Sequence, residues 1–181
     1  KLKYEVLAQR HAIHGTPLRD RAFAHIADLA RLASPVAPFA NRLANTVLAR
    51  AALARLGVHP ERPLPALAPE SFRAWFVGHT RSRPAHPTPR GEIVLIDDTF
   101  TRWFHPEVGR AAVRVLEALG YRVVLAPRLG CCGRPMISRG LLTKAARAAR
   151  RNVGVLQPYV ERGVPIVGTE PSCLLTFRDE Y

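Results

Sequence analysis

Thiols are scarce in this sequence: 181 residues hold three cysteines and one methionine, and among 27 basic residues only Lys1, Lys3 and Lys144 are lysines. An odd and small cysteine count excludes the disulfide framework of a small secreted domain. The absence of any C-x-x-C pair removes the usual structural zinc site and a thioredoxin-type dithiol. No apolar run reaches the roughly 18 residues of a membrane-spanning helix, and no signal-like stretch opens the chain. The expectation is a soluble, intracellular, reduced chain. It also lacks an initiator methionine, opens inside a helical pattern at Lys1-Leu2-Lys3 and stops at Tyr181 without a cap signal, which reads as a piece of a longer protein.

Acidic residues are in short supply as well. Fourteen Asp and Glu against 27 Lys and Arg leave a net charge of +13, which attracts polyanions. Yet no helix-turn-helix, zinc-finger, RRM or KH signature is present. The arginines are dispersed, and Trp75-Phe76 and Trp103-Phe104 are adjacent pairs rather than a spaced stacking platform. The charge therefore reads as a solvated surface, part of which could dock an acidic partner domain. Specific nucleic-acid recognition is not expected.

Residues 1–82 read as helical. Leu2, Val6, Leu7 and Ile13 form one stripe ending at Gly15, and Thr16-Pro17 restarts the chain as N-cap and first helical residue, with Asp20 in the first turn. Leu18, Ala22, Phe23, Ile26, Leu29 and Leu32 then predict one helix up to Ser34-Pro35. A third, carrying Phe39, Leu43, Val47, Leu48, Leu53 and Leu56, ends at Gly57. Pro60, Pro63, Pro65 and Pro69 hold an extended connector before a short helix with Phe72, Trp75 and Phe76. Apolar helices with few catalytic residue types suggest packing or docking, and His11, His14 and His25 read as surface or interface residues. A proline-rich linker is expected over 83–90.

Beyond it the period changes. Glu92 to Ile96, Tyr121 to Ala126 and Val164 to Thr169 read as buried parallel strands. Between them, Pro106 to Leu119 predicts a helix with Val108, Ala112, Val115, Leu116 and Leu119 on one face, and Leu141 to Val160 predicts another. A further helix starts at Pro171-Ser172-Cys173. The predicted class is α/β: a helical N-terminal region, then a small Rossmann-like parallel sheet with flanking helices.

Ligands in such sheets bind beyond the carboxyl ends of the strands. Three loops fall there, Asp97 to Thr101, Pro127 to Pro135 and Glu170 to Cys173, and two of them hold all the cysteines. The first loop lacks the glycines of a dinucleotide fingerprint. Asp97 and Asp98 are a carboxylate pair for acid–base work or a hard cation, or an ordinary loop and helix-cap composition. Cys131, Cys132 and Cys173 could together ligate a soft metal, most simply as part of an iron–sulfur cluster, with Gly133 letting the backbone wrap close to it. Alternatively they are three small apolar residues.

The order of motifs resembles a family. Asp98-Thr-Phe-Thr-Arg-Trp-Phe-His-Pro-Glu-Val-Gly109, then Leu129-Gly-Cys-Cys-Gly-Arg-Pro135, then Glu170-Pro-Ser-Cys173, is similar to the cysteine-rich CCG domain. That domain occurs in iron–sulfur subunits or C-terminal regions of FAD-linked oxidoreductases acting on D-lactate and related 2-hydroxyacids, glycolate or glycerol 3-phosphate, and more distantly in heterodisulfide reductase. The helical stretch through Pro17-Leu-Arg-Asp-Arg21 also looks like the segment that follows a two-cluster ferredoxin module in fused members. The resemblance implies that Cys131, Cys132 and Cys173 are cluster ligands, with Asp98, Thr99 and Gly133 beside the cofactor. Several relatives carry a cysteine where this chain has Thr99.

The chain thus reads as 1–82, a helical docking region, 83–90, a linker, and 91–181, one Rossmann-like CCG half-domain. The function expected is iron–sulfur electron transfer within an FAD-linked oxidoreductase, without catalysis by this piece alone. Implied partners are flavin-binding and ferredoxin-like domains and a quinone or other acceptor. The implied placement is cytoplasmic or peripheral at the inner face of the cell membrane. The competing reading is a basic binding or scaffold module with structural cysteines.

Overall fold

The computed structural model describes residues 2–55, 57–59, 61–82 and 90–181. The expected linker at 83–90 lies outside the described residues except for Arg90, as do Lys1, Leu56 and Pro60. The order of elements is α1 (Leu2–His14), α2 (Leu18–Ala24), α3 (Ile26–Ala33), a single 3-10 turn (Ser34–Val36), α4 (Ala37–Ala44), α5 (Val47–Arg55) and α6 (Phe72–Ser82), then β1 (Gly91–Ile96), α7 (Thr99–Trp103), α8 (Pro106–Ala118), β2 (Tyr121–Val124), α9 (Arg134–Ser138), α10 (Leu142–Glu161), β3 (Ile166–Gly168) and α11 (Pro171–Leu175), which runs into a π turn over Thr176–Glu180. The class is α/β, as the periodicities predict.

The sheet has three parallel strands in the order β2-β1-β3. Being central, β1 is buried on both faces, and its period of two divides the core. Leu95 joins Val123, Val113 of α8 and Phe72 and Phe76 of α6 on one face. Val94 and Ile96 join Ala126, Leu129 and Leu156 of α10 on the other. The helix α6 is therefore part of the sheet's own core, although it precedes residues 83–89 in sequence. A third cluster of Ala30, Ala37 and Leu67, with Trp103 and Phe104 against it, ties the N-terminal helices to α7. The connector is held there by Asn41, whose side chain donates to the Leu67 carbonyl at 2.8 Å and accepts from the Leu67 N–H at 2.9 Å.

Four expectations change in detail. The helix expected through Leu32 is two, broken at His25, whose ring sits between Asp28 Oδ2 and Lys144 Nζ, both at 2.9 Å. The next is also two, broken at Asn45-Thr46. There Asn45 donates to the Asn41 carbonyl and the Thr46 hydroxyl accepts from the Ala49 N–H, so polar side chains replace the backbone ladder and cap the following helix. Pro17 stands one position earlier than expected, at the N-cap of α2, and no side chain caps that end. On α8 the buried face is Pro106, Gly109 and Val113, with Ala112 and Leu116 beside it, while Val108, Val115 and Leu119 are exposed. The reason is Gly109: a Cβ there would stand 2.7 Å from Thr101 Cγ2 and 2.8 Å from the Phe72 ring, so the close approach of three elements turns the helix by its smallest residue.

Candidate metal centre

Two devices deliver the three thiols at the carboxyl edge of the sheet. After β2 the chain runs to Gly130, Cys131 and Cys132, and then Gly133 takes a left-handed conformation (φ 83°) from which α9 starts. Cys173 arrives in the first turn of α11, where the Glu170 side chain caps by accepting from the Ser172 N–H and Pro171 occupies the first turn. Cys132 and Cys173 are buried and Cys131 is half-buried. The Cys132 and Cys173 sulfurs are 3.2 Å apart, and Cys131 contacts Cys132 in turn. The topology thus brings the three predicted thiols together.

A fourth group completes the row. The Thr99 side chain, buried at the start of α7, lies beside the Cys131 thiol. Along the row Thr99, Cys131, Cys132 and Cys173, the Cys132 thiol hydrogen has its acceptor in the Cys173 sulfur. Donation to Cys132 and burial push Cys131 well above the ordinary thiol range, against smaller opposing effects of the Gly133 N–H and the Thr99 hydroxyl. For Cys132 the bond received from Cys131 lowers the pKa, but donation to Cys173 and burial outweigh it, and the thiol is pushed up to about 11. These shifts favour neutral Cys131 and Cys132 thiols when no metal is bound.

The two other candidates behave differently. Asp98 caps α7: one carboxylate oxygen accepts from the Phe100 and Thr101 N–H groups and the other from the Thr101 hydroxyl at 2.6 Å. Both oxygens are committed to that cap, so of the two non-cysteine candidates it is Thr99 that touches a thiol. Asp97 is a buried ion-pair centre, with Arg73 and Arg102 both at 2.8 Å through Nε; the same arginines donate to the Ala126 and Leu129 carbonyls. The acid–base reading of this pair gives way to the loop and cap reading.

Sequence reasoning missed the residue that holds the thiol loop. Asn152 of α10 is fully buried; it accepts from the Gly130 N–H at 3.0 Å and donates to the Cys131 carbonyl at 2.9 Å and to the Tyr181 hydroxyl at 3.0 Å. Tyr181 passes its own hydrogen to the Cys132 carbonyl at 2.9 Å. Burial of that hydroxyl pushes Tyr181 up to about 12, with the bond from Asn152 acting the other way. A lone Asn between Arg151 and Val153 in an otherwise arginine- and alanine-rich helix was the available signal.

The donor set suits an iron–sulfur cluster in type and position, with soft thiols in a largely dry pocket at the ligand-binding edge. It is one cysteine short of the four ligands such a cluster usually takes, and the Thr99 side chain is the non-cysteine candidate beside the thiols. Two thiolates on one tetrahedral metal at about 2.3 Å stand about 3.8 Å apart, so Cys132 and Cys173 would have to separate to share one. Consistently, among the described residues no three His, Cys, Asp or Glu side chains close around a single ion.

Known proteins are similar to this chain in sequence. Residues 97–178 match the family model of the cysteine-rich CCG domain. The chain is 28% identical over 166 residues to a subunit of the anaerobic glycerol-3-phosphate dehydrogenase of Escherichia coli (strain K12), covering 91% of this chain and 41% of that one. It is 40% identical over 89 residues to D-2-hydroxyglutarate dehydrogenase of Pseudomonas putida, which is 49% of this chain and 9% of the relative. It is 27% identical over 115 residues to the glycolate oxidase iron-sulfur subunit of E. coli K12, which is 62% of this chain and 28% of the relative. The chain spans less than half the length of each of these relatives. No solved structure matches it significantly. Among the described residues no helix is long and apolar enough to cross a membrane.

Proposed function

We propose that this chain is the iron–sulfur electron-transfer portion of an FAD-linked oxidoreductase that takes electrons from a 2-hydroxyacid or glycerol 3-phosphate type substrate to a quinone or other acceptor. The observation that carries the reading is the convergence of Cys131, Cys132 and Cys173 at the carboxyl edge of the sheet, in a stretch matching the CCG family. The names of the relatives, a glycerol-3-phosphate dehydrogenase subunit and a glycolate oxidase iron-sulfur subunit, support the class.

In this reading Cys131, Cys132 and Cys173 hold a cluster, most simply of the 4Fe-4S type, with Thr99 and Gly133 beside it. The cluster supplies one-electron storage. The protein's own part is positional. Asn152 and Tyr181 fix the carbonyls of the two adjacent cysteines, Gly133 supplies the left-handed turn that leads from them into α9, and burial of Cys132 and Cys173 keeps water off them. Binding requires the thiols to lose their protons, so uptake releases acid and is favoured by rising pH.

Residues 1–82 serve as the docking region for flavin-binding and ferredoxin-like domains, and 91–181 as the CCG half-domain. The docking assignment is supported by Leu2, Ile13, Leu32, Phe39, Val47 and Leu48, all more than two-thirds exposed or close to it on the helical region. Placement is cytoplasmic or peripheral at the inner face of the membrane, with FAD elsewhere in the same protein or complex. The test is anaerobic purification of the intact protein with Cys131→Ser or Cys173→Ser. Loss of iron and of the low-temperature paramagnetic signal is expected; unchanged iron and signal would reject the ligand assignment.

A further inference from the structure

Beside the thiols opens a cleft of about 660 Å³, at the carboxyl edge of the sheet between α3, α10 and the loops after β1 and β2. That volume suits a small molecule. Its walls are cationic to an extent that folding does not require. Lys144, Arg147 and Arg151 follow one another at three and four residues along α10 and line the same cleft, so like charges repel along one helical face. Arg31 faces them from α3, and Arg128 from the loop after β2.

The acids at the cleft do not balance this charge. Asp97 is matched by Arg73 and Arg102, and Asp28 pairs with His25. Among the described residues Arg31, Arg128, Arg147 and Arg151 pair with no carboxylate. Two backbone features serve the same cations. Gly130 leaves room for Arg151: a Cβ there would lie 1.8 Å from its guanidinium, so the arginine packs on bare backbone in the loop that carries Cys131. Arg128 holds φ at 60°, the only non-glycine residue among those described with a positive φ. Apolar surface from Ala24, Ala27, Trp103 and Met136 completes the lining.

We propose that this cleft binds a small organic anion bearing two or more carboxylate or phosphate groups, gripped by Arg31, Arg128, Arg147 and Arg151 next to Cys131. Guanidinium forks arriving from three separate elements suit a ligand with more than one oxyanion, each able to take a two-pronged bond. The apolar lining suits a compact carbon body between those groups. Binding here does not depend on a cluster being held by the thiols.

The test is calorimetric titration of the metal-free chain with citrate and with pyrophosphate at a fixed ionic strength, with acetate as the single-charge comparison. One equivalent of citrate or pyrophosphate should bind per chain, and whichever is tighter separates a carboxylate from a phosphate ligand. Acetate should be weaker by roughly tenfold or more, as should citrate or pyrophosphate with Arg147→Gln or Arg128→Gln, since each removes one charge-assisted fork. Arg122→Gln removes the same charge at the opposite end of the sheet, where Arg122 pairs with Glu92, and should change nothing. Absence of saturable binding, equal weakening by Arg122→Gln, or binding of heparin or duplex DNA alone would overturn the proposal. If the cleft variants fail to fold, hydrogen exchange of the wild type decides: protection by citrate or pyrophosphate at residues 128–151 supports it, and protection confined elsewhere overturns it.

Discussion

The sulfur of Cys132 lies 3.2 Å from that of Cys173, although one thiol follows a strand and the other opens a helix 41 positions later. In the metal-free chain this contact favours the protonated Cys132 thiol, because Cys132 donates its hydrogen to Cys173 within a buried setting. Its pKa is raised from an ordinary 9.0 to about 11, so the stabilisation is complete below about pH 9 and is lost as the pH rises through about 11. Chemical unfolding of the metal-free chain between those two values should show falling stability, and Cys132→Ser should flatten the decline. Equal slopes for the two proteins would contradict the assignment.

Asn152 gives a second prediction. Asn152→Leu would leave the Gly130 N–H and the Cys131 carbonyl without their partner in a buried place. Unfolding in urea should reveal a loss of about 2–4 kcal/mol, where a surface substitution would cost less than about 0.5 kcal/mol. A loss in that smaller range would show that the thiol loop is held by other means.

Much of the architecture is legible because it rests on periodicity. The buried run of β1, the glycine stops and the alternation of strand with helix predict the sheet and put every cysteine at one edge. What escapes depends on partners distant in sequence. Asp97 and Asp98 are neighbours with opposite tasks: one meets Arg73, 24 positions earlier in the sequence, and the other caps its own helix. Asn152 reads as one more polar residue on a helix until the fold sets it beneath Cys131. The exposed side of α8 misleads because Val108, Val115 and Leu119 form a good stripe, whereas contact with Phe72 selects the face of Gly109.

That contact is testable through Gly109→Ala. The added methyl meets Thr101 and the Phe72 ring inside normal contact distance. Overpacking of this kind should cost about 1–3 kcal/mol, read as a lower thermal midpoint. A neutral or stabilising result would mean that α6 and α8 are not pressed together as described.

Asp97→Asn separates structure from chemistry in the first loop. It leaves the Arg73 and Arg102 guanidinium groups uncompensated around a side chain that is fully buried. The expected loss is about 3 kcal/mol, at the low end for a broken buried pair because Arg73 is partly solvated. Iron content per folded chain should be unaffected; a selective loss of iron without loss of stability would make Asp97 part of the metal site.

The central claim, that Cys131, Cys132 and Cys173 hold an iron–sulfur cluster with Thr99 at the incomplete position, is tested most directly by anaerobic reconstitution followed by iron and sulfide counts per chain. Wild type should load only in part, because cubane clusters usually take four protein ligands. Thr99→Cys should raise the occupancy, and Cys132→Ser should abolish it. Full, stable loading of the wild type that survives Cys132→Ser, with Thr99→Cys making no difference, would contradict the account.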